Sequence, residues 1–136
     1  MRELNFIVVD DDPGWVHWVK FYLFKTFKPP EYRLEIKTAS HGSDALMLLE
    51  QATENGRPPD LVLSDTNMPR MDGLELWNSF LKNYKKSIPF VLLFSGWGEN
   101  PKFTKDDVRA LGIEHILTKE EAEINLGSLI SKILIT

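Results

Sequence analysis

Short apolar runs alternate with longer amphipathic segments along the chain. The segment from Leu4 to Val9 includes the first run, Phe6-Ile7-Val8-Val9, which is rich in β-branched residues and too short for a helix. Such a run is typical of a strand that is buried on both faces. Asp12 then offers an N-cap carboxylate, Pro13 suits the first helical position, and apolar residues recur at helical spacing to about Phe27. The pattern predicts a strand followed by a helix.

The same pattern of a strand and then a helix recurs along the rest of the chain. Residues 32–37 alternate apolar with charged, which predicts an edge strand exposed on one face. The other predicted strands are 61–64, 90–94 and 114–117, and the other predicted helices are about 43–55, 74–84, 104–112 and 120–134. Short connections between such units favour parallel βαβ crossovers. The expected fold is α/β, a flavodoxin-like doubly wound sheet of five parallel strands in the order 2-1-3-4-5 with five helices.

The composition is that of one compact domain over residues 1–136. A length of 136 residues lies within the commonest domain size of about 100–150, and 43% of the residues are hydrophobic. We interpret Trp15 and Trp18 as packing residues of the first helix.

The net charge of −4 offers no basic face for direct nucleic-acid binding. The absence of cysteine excludes disulfides and thiolate metal sites.

The N-terminal residues 1–5 contain the acidic Glu3 and the polar Asn5 before four apolar residues. The apolar run that follows is too short for a signal peptide or a membrane span. We therefore expect a cytoplasmic protein without membrane contact.

Polar side chains follow four of the predicted strands at their carboxyl ends. Asp10 and Asp11 follow the first strand, Asp65 the third, Ser95 the fourth and Lys119 the fifth. Ligands of a doubly wound sheet bind at this edge where the strand order reverses, which in the order 2-1-3-4-5 is between strands one and three. We therefore expect the three carboxylates to converge.

Three carboxylates at one point repel each other, which raises pKa values or requires a cation. Mg²⁺ prefers about six oxygen ligands and shares them with phosphate groups, so one carboxylate can stay available as a nucleophile. Attack by a carboxylate on a phosphoryl group gives an aspartyl phosphate. The hydroxyl of Ser95 and the ammonium of Lys119 are suitable donors to the phosphoryl oxygens. The residues together predict a magnesium-assisted site for accepting a phosphoryl group.

Two segments of the chain resemble the response regulator receiver domain of two-component signalling. They are the acidic run Val8-Val9-Asp10-Asp11-Asp12 and residues 65–73, with the sequence Asp-Thr-Asn-Met-Pro-Arg-Met-Asp-Gly. Ser95 and Lys119 match the hydroxyl and lysine positions of the family. The resemblance extends over nearly the whole chain.

The resemblance implies a role for each residue of the site. Asp65 is the expected phosphoacceptor, and Asp11 and Asp65 are expected to contribute direct oxygens to Mg²⁺. Asn67 is expected to offer its backbone carbonyl, and Asp10 to act largely through water. Asp12, the third residue of the acidic run, is interpreted as the helix cap.

The resemblance also implies partners and a mode of signalling. The expected donor is a sensor histidine kinase or a histidine phosphotransfer protein, and the domain itself is not expected to be an enzyme. Phosphorylation is expected to shift the conformation of the face formed by helix four, strand five and helix five, where a downstream protein would bind.

Three positions depart from the family pattern or modify it. Glu120 follows Lys119 where the family usually has proline with a cis bond, and a non-proline cis bond costs about 2.5–4 kcal/mol. Ile116 occupies the position of an aromatic residue that swings inward in the family, so we do not expect a conventional aromatic switch. Trp97 occupies a position that influences hydrolysis of the aspartyl phosphate, and its bulk predicts a long-lived phosphoryl form.

Two alternative functions remain open at this stage. A degenerate receiver would bind partners without phosphorylation; Glu120 and Ile116 favour it, whereas the intact acidic residues oppose it. A magnesium-dependent phosphatase with an aspartate nucleophile, as in the haloacid dehalogenase group, would carry its motif after the first strand and a second aspartate in place of Asn67. The chain also leaves no segment for the substrate cap of such a phosphatase.

Overall fold

The protein is described by a computed structural model, which covers residues 1–66, 73–84, 88–94, 105–110, 112–113 and 115–135. Strands and helices alternate throughout these residues. The strands are β1 (Arg2–Val9), β2 (Tyr32–Ala39), β3 (Leu61–Asp65), β4 (Phe90–Phe94) and β5 (His115–Thr118). The helices are α1 (Pro13–Thr26), α2 (Gly42–Glu54), α3 (Gly73–Tyr84), α4 (Lys105–Ala110) and α5 (Lys119–Ile135).

All five strands are parallel and lie in the order β2-β1-β3-β4-β5. The predicted fold class and strand order are therefore confirmed. β1 begins earlier than the apolar run because its pairing with β2 extends the ladder to Arg2 and Tyr32. Thr104, the predicted cap of the short helix α4, lies outside the described residues.

The sheet carries a hydrophobic core on each face, and successive residues of β1 alternate between the two. Leu4, Phe6 and Val8 pack with α1 and α5 on one face. Ile7 and Val9 pack with α2, α3 and α4 on the other. This alternation is the period of two expected for a strand that is covered on both sides.

The first turn of α1 forms as the sequence predicts. The Asp12 carboxylate accepts hydrogen bonds from the amides of Gly14 at 3.0 Å and Trp15 at 3.4 Å, and Pro13 occupies the first helical turn. Because Asp12 caps the helix, only Asp10 and Asp11 of the acidic run are left to face the carboxyl edge of the sheet.

Helices α1 and α5 approach each other closely at Gly127. The Gly127 amide donates a hydrogen bond of 2.8 Å to the Tyr22 hydroxyl oxygen. A Cβ atom at residue 127 would lie only 2.6 Å from that oxygen. Glycine inside a helix is unfavourable by about 0.5–1 kcal/mol relative to alanine, so this close contact explains its presence here.

Gly73, at the start of α3, packs against the end of β3. A Cβ atom there would lie 2.5 Å from the backbone oxygen of Asp65 and 3.1 Å from the hydroxyl of Ser64. The Gly73 amide donates to the Thr66 carbonyl at 3.4 Å. A glycine at residue 73 thus permits α3 to begin directly beside Asp65.

We expect Gly73→Ala to lower the free energy of unfolding by about 1–3 kcal/mol, because the added methyl group would displace backbone at the end of β3. Urea unfolding followed by circular dichroism would measure the change. Gly14→Ala is a matched control, since its Cβ would lie 3.3 Å from a side-chain oxygen of Asp12 and not against backbone. Equal stability of Gly73→Ala and wild type would contradict the steric argument.

Candidate functional site

Three aspartates converge at the carboxyl edge of the sheet. Carboxylate oxygens of Asp10, Asp11 and Asp65 all lie within 4.8 Å of one another. Asp10 and Asp65 are buried, whereas Asp11 is exposed. The convergence follows from the pairing of Val9 with Ser64, because the next residue of each strand emerges at the same edge.

Hydrogen bonds hold the end of β3, where Asp65 lies. The Ser64 hydroxyl donates to the Asp65 carbonyl at 2.9 Å, and both residues are buried. The Thr66 amide donates to the Leu93 carbonyl of β4 at 3.1 Å, which extends the ladder one residue beyond Asp65. The backbone of Asp65 is therefore fixed by neighbours on both sides. No sequence pattern singles out Ser64, because its role depends on this local geometry.

Lys119 is the cation of the site. Its Nζ atom lies 2.9 Å from Oδ2 of Asp10 and 3.8 Å from Oδ2 of Asp65. The other oxygen of Asp10 accepts a hydrogen bond of 2.9 Å from the Asp12 amide. The ammonium therefore contacts two of the three carboxylates, and the formal charge of Lys119 with the three aspartates is negative.

Burial raises the pKa of Asp10 above its ordinary value, and the nearby charge of Asp11 acts in the same direction. The Asp12 amide and the Lys119 ammonium lower the pKa, but burial is the larger effect. Asp10 therefore takes up a proton at a higher pH than an ordinary aspartate does.

A capping box fixes the backbone at Lys119. The Glu121 amide donates to the Thr118 hydroxyl at 3.0 Å, and the Thr118 amide donates to the Glu121 carboxylate at 3.0 Å. Helix α5 begins at Lys119 itself, so Glu120 lies in a helical turn. Within the described residues the cis bond is Pro29–Pro30, so the bond between Lys119 and Glu120 is trans. The Thr-x-x-Glu spacing was visible in the sequence and could have identified this cap.

An aromatic ring covers the Lys119 ammonium. Nζ lies 5.1 Å from the ring centroid of Trp15, within the range of a cation–π contact. Trp15 stacks on Trp18 at 5.0 Å between centroids, and Trp18 stacks on Tyr22 at 5.2 Å. The two tryptophans pack against the α1–α5 core as predicted, but the contact with Lys119 was not predicted. No sequence signal identifies it, because it joins residues from opposite ends of the chain.

The acidic cluster opens on one side into a groove of about 300 Å³ between α1 and the end of β2. Asp10 and Asp11 line the groove together with His17 and Lys20 of α1 and Ser40. Of the three aspartates, only Asp10 and Asp11 line this groove.

The remaining predicted residues are placed as follows. Asn67, Ser95 and Trp97 lie outside the described residues. Ile116 is half-buried and packs against the core formed with α2, α3 and α4. None of the helices in the described part of the chain is both long and apolar enough to cross a bilayer.

Comparison with known sequences identifies relatives that match most of this chain. The chain matches the model of the response regulator receiver domain over residues 6–131. It is 40% identical over 112 residues to the two-component response regulator ARR11 of Arabidopsis thaliana, covering 82% of this chain and 18% of that protein. It is 30% identical over 112 residues to the two-component response regulator ORR21 of Oryza sativa subsp. indica, covering 82% of this chain and 14% of that protein. The chain therefore corresponds to a small part of these relatives.

Solved structures share the same architecture. A response regulator receiver domain protein from Clostridium thermocellum has a TM-score of 0.76 at 21% identity, covering 96% of this chain and 94% of that chain. The receiver domain of the histidine kinase CKI1 from Arabidopsis thaliana, complexed with Mg²⁺ and BeF₃⁻, has a TM-score of 0.71 at 22% identity, covering 98% and 91%. At these identities the likeness concerns the fold. Because the family model matches most of the chain, this protein belongs to the response regulator receiver domain family of two-component signalling.

Proposed function

We propose that this domain accepts a phosphoryl group on Asp65 from a phosphohistidine donor, with Mg²⁺ bound beside it. The observation that carries the proposal is the convergence of three carboxylates within 4.8 Å, with the Lys119 ammonium 3.8 Å from Asp65. Receiver domains take phosphoryl groups from histidine kinases or similar donors. A sensor histidine kinase or a histidine phosphotransfer protein is therefore the proposed donor.

The donor set suits a hard divalent cation. Carboxylate oxygens are preferred ligands of Mg²⁺, and the negative charge of the cluster exceeds the charge of Lys119. The receiver domain of CKI1 was solved with Mg²⁺. We assign direct oxygens to Asp11 and Asp65, a backbone carbonyl to Asn67 and a contact through water to Asp10. When bound, Mg²⁺ would neutralise charge on the transferring phosphoryl oxygens.

Asp65 is the proposed nucleophile. One of its ionised carboxylate oxygens forms a bond to phosphorus while the phosphorus–nitrogen bond of the donor breaks. The electron pair of that bond stays on the imidazole nitrogen, which takes up a proton. Lys119 and Ser95 are the proposed donors to the phosphoryl oxygens. The buried backbone of Asp65 supports this role because it keeps the nucleophile in one position.

The proposed output is a conformational shift of the α4–β5–α5 face, to which a downstream protein binds. Ile116 lacks the aromatic ring of a conventional switch and is half-buried, so the shift would not depend on a swinging ring. We also propose that residues 1–136 act as one receiver unit in the cytoplasm, without enzymatic turnover and without direct nucleic-acid binding. The continuous sheet with helices on both faces supports a single unit.

We expect wild type to gain the mass of one phosphoryl group when incubated with acetyl phosphate and Mg²⁺, and Asp65→Asn to gain none. The substitution removes the nucleophilic oxygen with little change of shape. Intact-mass spectrometry, with and without a chelator, measures the adduct.

Asp60→Asn is the matched control, because Asp60 accepts a hydrogen bond from the Asn5 amide away from the acidic cluster. This variant should be modified like wild type. If wild type gains no phosphoryl group under any condition, a degenerate receiver that binds partners without phosphorylation becomes the better account. Steady turnover of a phosphate ester would instead support a phosphatase.

We expect Asp11→Asn to raise the free energy of unfolding in chelator by up to about 1 kcal/mol, because it relieves repulsion at an exposed position screened by water. The stabilisation that Mg²⁺ gives wild type should largely disappear in this variant, since one ligand is lost. Urea unfolding with Mg²⁺ and with chelator measures both effects. Asp12→Asn is the control: asparagine caps helices as well as aspartate, so its response to Mg²⁺ should remain.

We expect Mg²⁺ affinity to fall as the pH falls, and to begin falling above the ordinary aspartate pKa of about 3.9. Protonated Asp10 is neutral, and its raised pKa means that protons compete with the cation at a higher pH than usual. Mg²⁺ titrations of tryptophan fluorescence at a series of pH values measure this dependence. Asp10→Asn should bind Mg²⁺ more weakly and lack this part of the pH dependence. If Mg²⁺ affinity depends on pH in this variant as it does in wild type, the role assigned to Asp10 is contradicted.

A further inference from the structure

We propose that Trp15 is a positioning residue that holds the Lys119 ammonium at the acidic site. The inference rests on the function proposed for Asp65 and adds a residue to its machinery. Lys119 has three partners in the described structure: Asp10 at 2.9 Å, Asp65 at 3.8 Å and the Trp15 ring at 5.1 Å. Two of these partners are carboxylates of the reacting cluster, and the third is a ring outside it.

The need for a positioning residue follows from the lysine side chain itself. The Thr118–Glu121 capping box fixes the backbone of residue 119, but four flexible carbons separate that backbone from the ammonium. The carboxylates are also the groups that take up protons or cations. The Trp15 ring takes up no proton and lies outside the reacting cluster, so its contact with the ammonium is available whichever state the carboxylates are in.

The indole of Trp15 gives a further reason to assign it this role. Its Nε1 atom is buried and has no hydrogen-bond partner among the described residues. Packing among the described residues leaves this N–H without a hydrogen bond, so packing there does not by itself explain tryptophan in place of phenylalanine. Tryptophan offers the strongest cation–π face of the aromatic residues. Its presence over Lys119 is therefore better explained by the ammonium than by packing.

The ring of Trp15 is held in place by an aromatic ladder, which we define as Trp15, Trp18 and Tyr22. The stacked rings lie 24° and 20° from parallel. The ladder ends at the Tyr22 hydroxyl, which accepts a hydrogen bond from Gly127 of α5. Both ends of the ladder therefore contact α5, one at Lys119 and one at Gly127. Turning the Trp15 face away from Lys119 would therefore break its stacking on Trp18.

The first test is a double-mutant cycle on the rate of phosphorylation by acetyl phosphate with Mg²⁺. Trp15→Leu should slow the reaction roughly three- to tenfold, and Trp15→Phe should slow it less because it retains a weaker π face. In the Lys119→Ala background, Trp15→Leu should change the rate by less than about twofold, because residues that act through one another are not additive. Where the Lys119→Ala rate is too slow to measure, the same cycle is made on urea unfolding.

Phe21→Leu is the matched control. Phe21 is an exposed ring of the same helix and lies 5.5 Å from the Lys25 ammonium, so the substitution removes a similar contact away from the site. Its phosphorylation rate should equal that of wild type. If Phe21→Leu slows the reaction as much as Trp15→Leu does, the effect belongs to α1 in general and the proposal fails.

A second readout needs no phosphorylation. The ammonium protons of Lys119 can be observed in ¹H–¹⁵N correlation spectra and assigned by the loss of their signal in Lys119→Ala. The ring current of Trp15 should shift this proton signal upfield. The signal should move to the position of free lysines in Trp15→Leu and only part of the way in Trp15→Phe.

The two readouts separate the failure of this inference from the failure of the proposed function. A wild type that shows the shifted ammonium signal but accepts no phosphoryl group would refute the function and leave the contact intact. The opposite failure is also distinct: wild type is phosphorylated, but Trp15→Leu slows phosphorylation by the same factor in the wild-type and Lys119→Ala backgrounds. That result would show that Trp15 only packs. Should Trp15→Leu fail to fold, Trp15→Phe decides: unchanged ammonium shift and rate in that variant would overturn the inference.

Discussion

Repulsion among Asp10, Asp11 and Asp65 is the constraint on which the rest of the site depends. Parallel pairing of β1 with β3 brings these carboxylates to one edge, and the burial of two of them weakens the screening that water would provide. Within the part of the chain that the structure describes, one ammonium lies beside them, and the pKa of Asp10 remains raised in spite of it. The cluster is therefore incompletely neutralised, which is the electrostatic condition for attracting a cation.

The features around the cluster serve to hold charged groups that would otherwise move apart. Ser64 and the continued β3–β4 ladder fix the backbone at Asp65, and Gly73 leaves room for that backbone. On the other side, the Thr118–Glu121 capping box starts α5 at Lys119. The family usually supplies a proline after this lysine, and here a helix cap provides a defined backbone with ordinary peptide geometry. In this chain the backbone at Lys119 is thus fixed by a helix cap.

The contacts between α1 and α5 extend to the site at Lys119. The aromatic ladder connects the Lys119 ammonium to the middle of α5, and Gly127 allows the two helices to approach. By contrast, the position of the usual aromatic switch holds Ile116, which is packed into the opposite core. The aromatic groups around the described part of the site are therefore on α1 rather than on β5.

Much of this architecture was determined by the sequence alone, because it depends on local patterns. Apolar runs and helical periodicity specify the alternating elements, and the order of a doubly wound sheet brings the carboxyl-end residues Asp10, Asp11, Asp65 and Lys119 together. The cap at Asp12 was also predictable, since a cap involves only neighbours in the chain. The capping box at Thr118 has the same local character, although it was missed.

Only the tertiary structure decided which groups touch within the site. Three such contacts join residues about a hundred positions apart: Asp10 with Lys119, Trp15 with Lys119, and Tyr22 with Gly127. The burial that raises the pKa of Asp10 likewise exists only in the folded chain. Local patterns carry no information about these distances, because they are set by how the two helical layers pack.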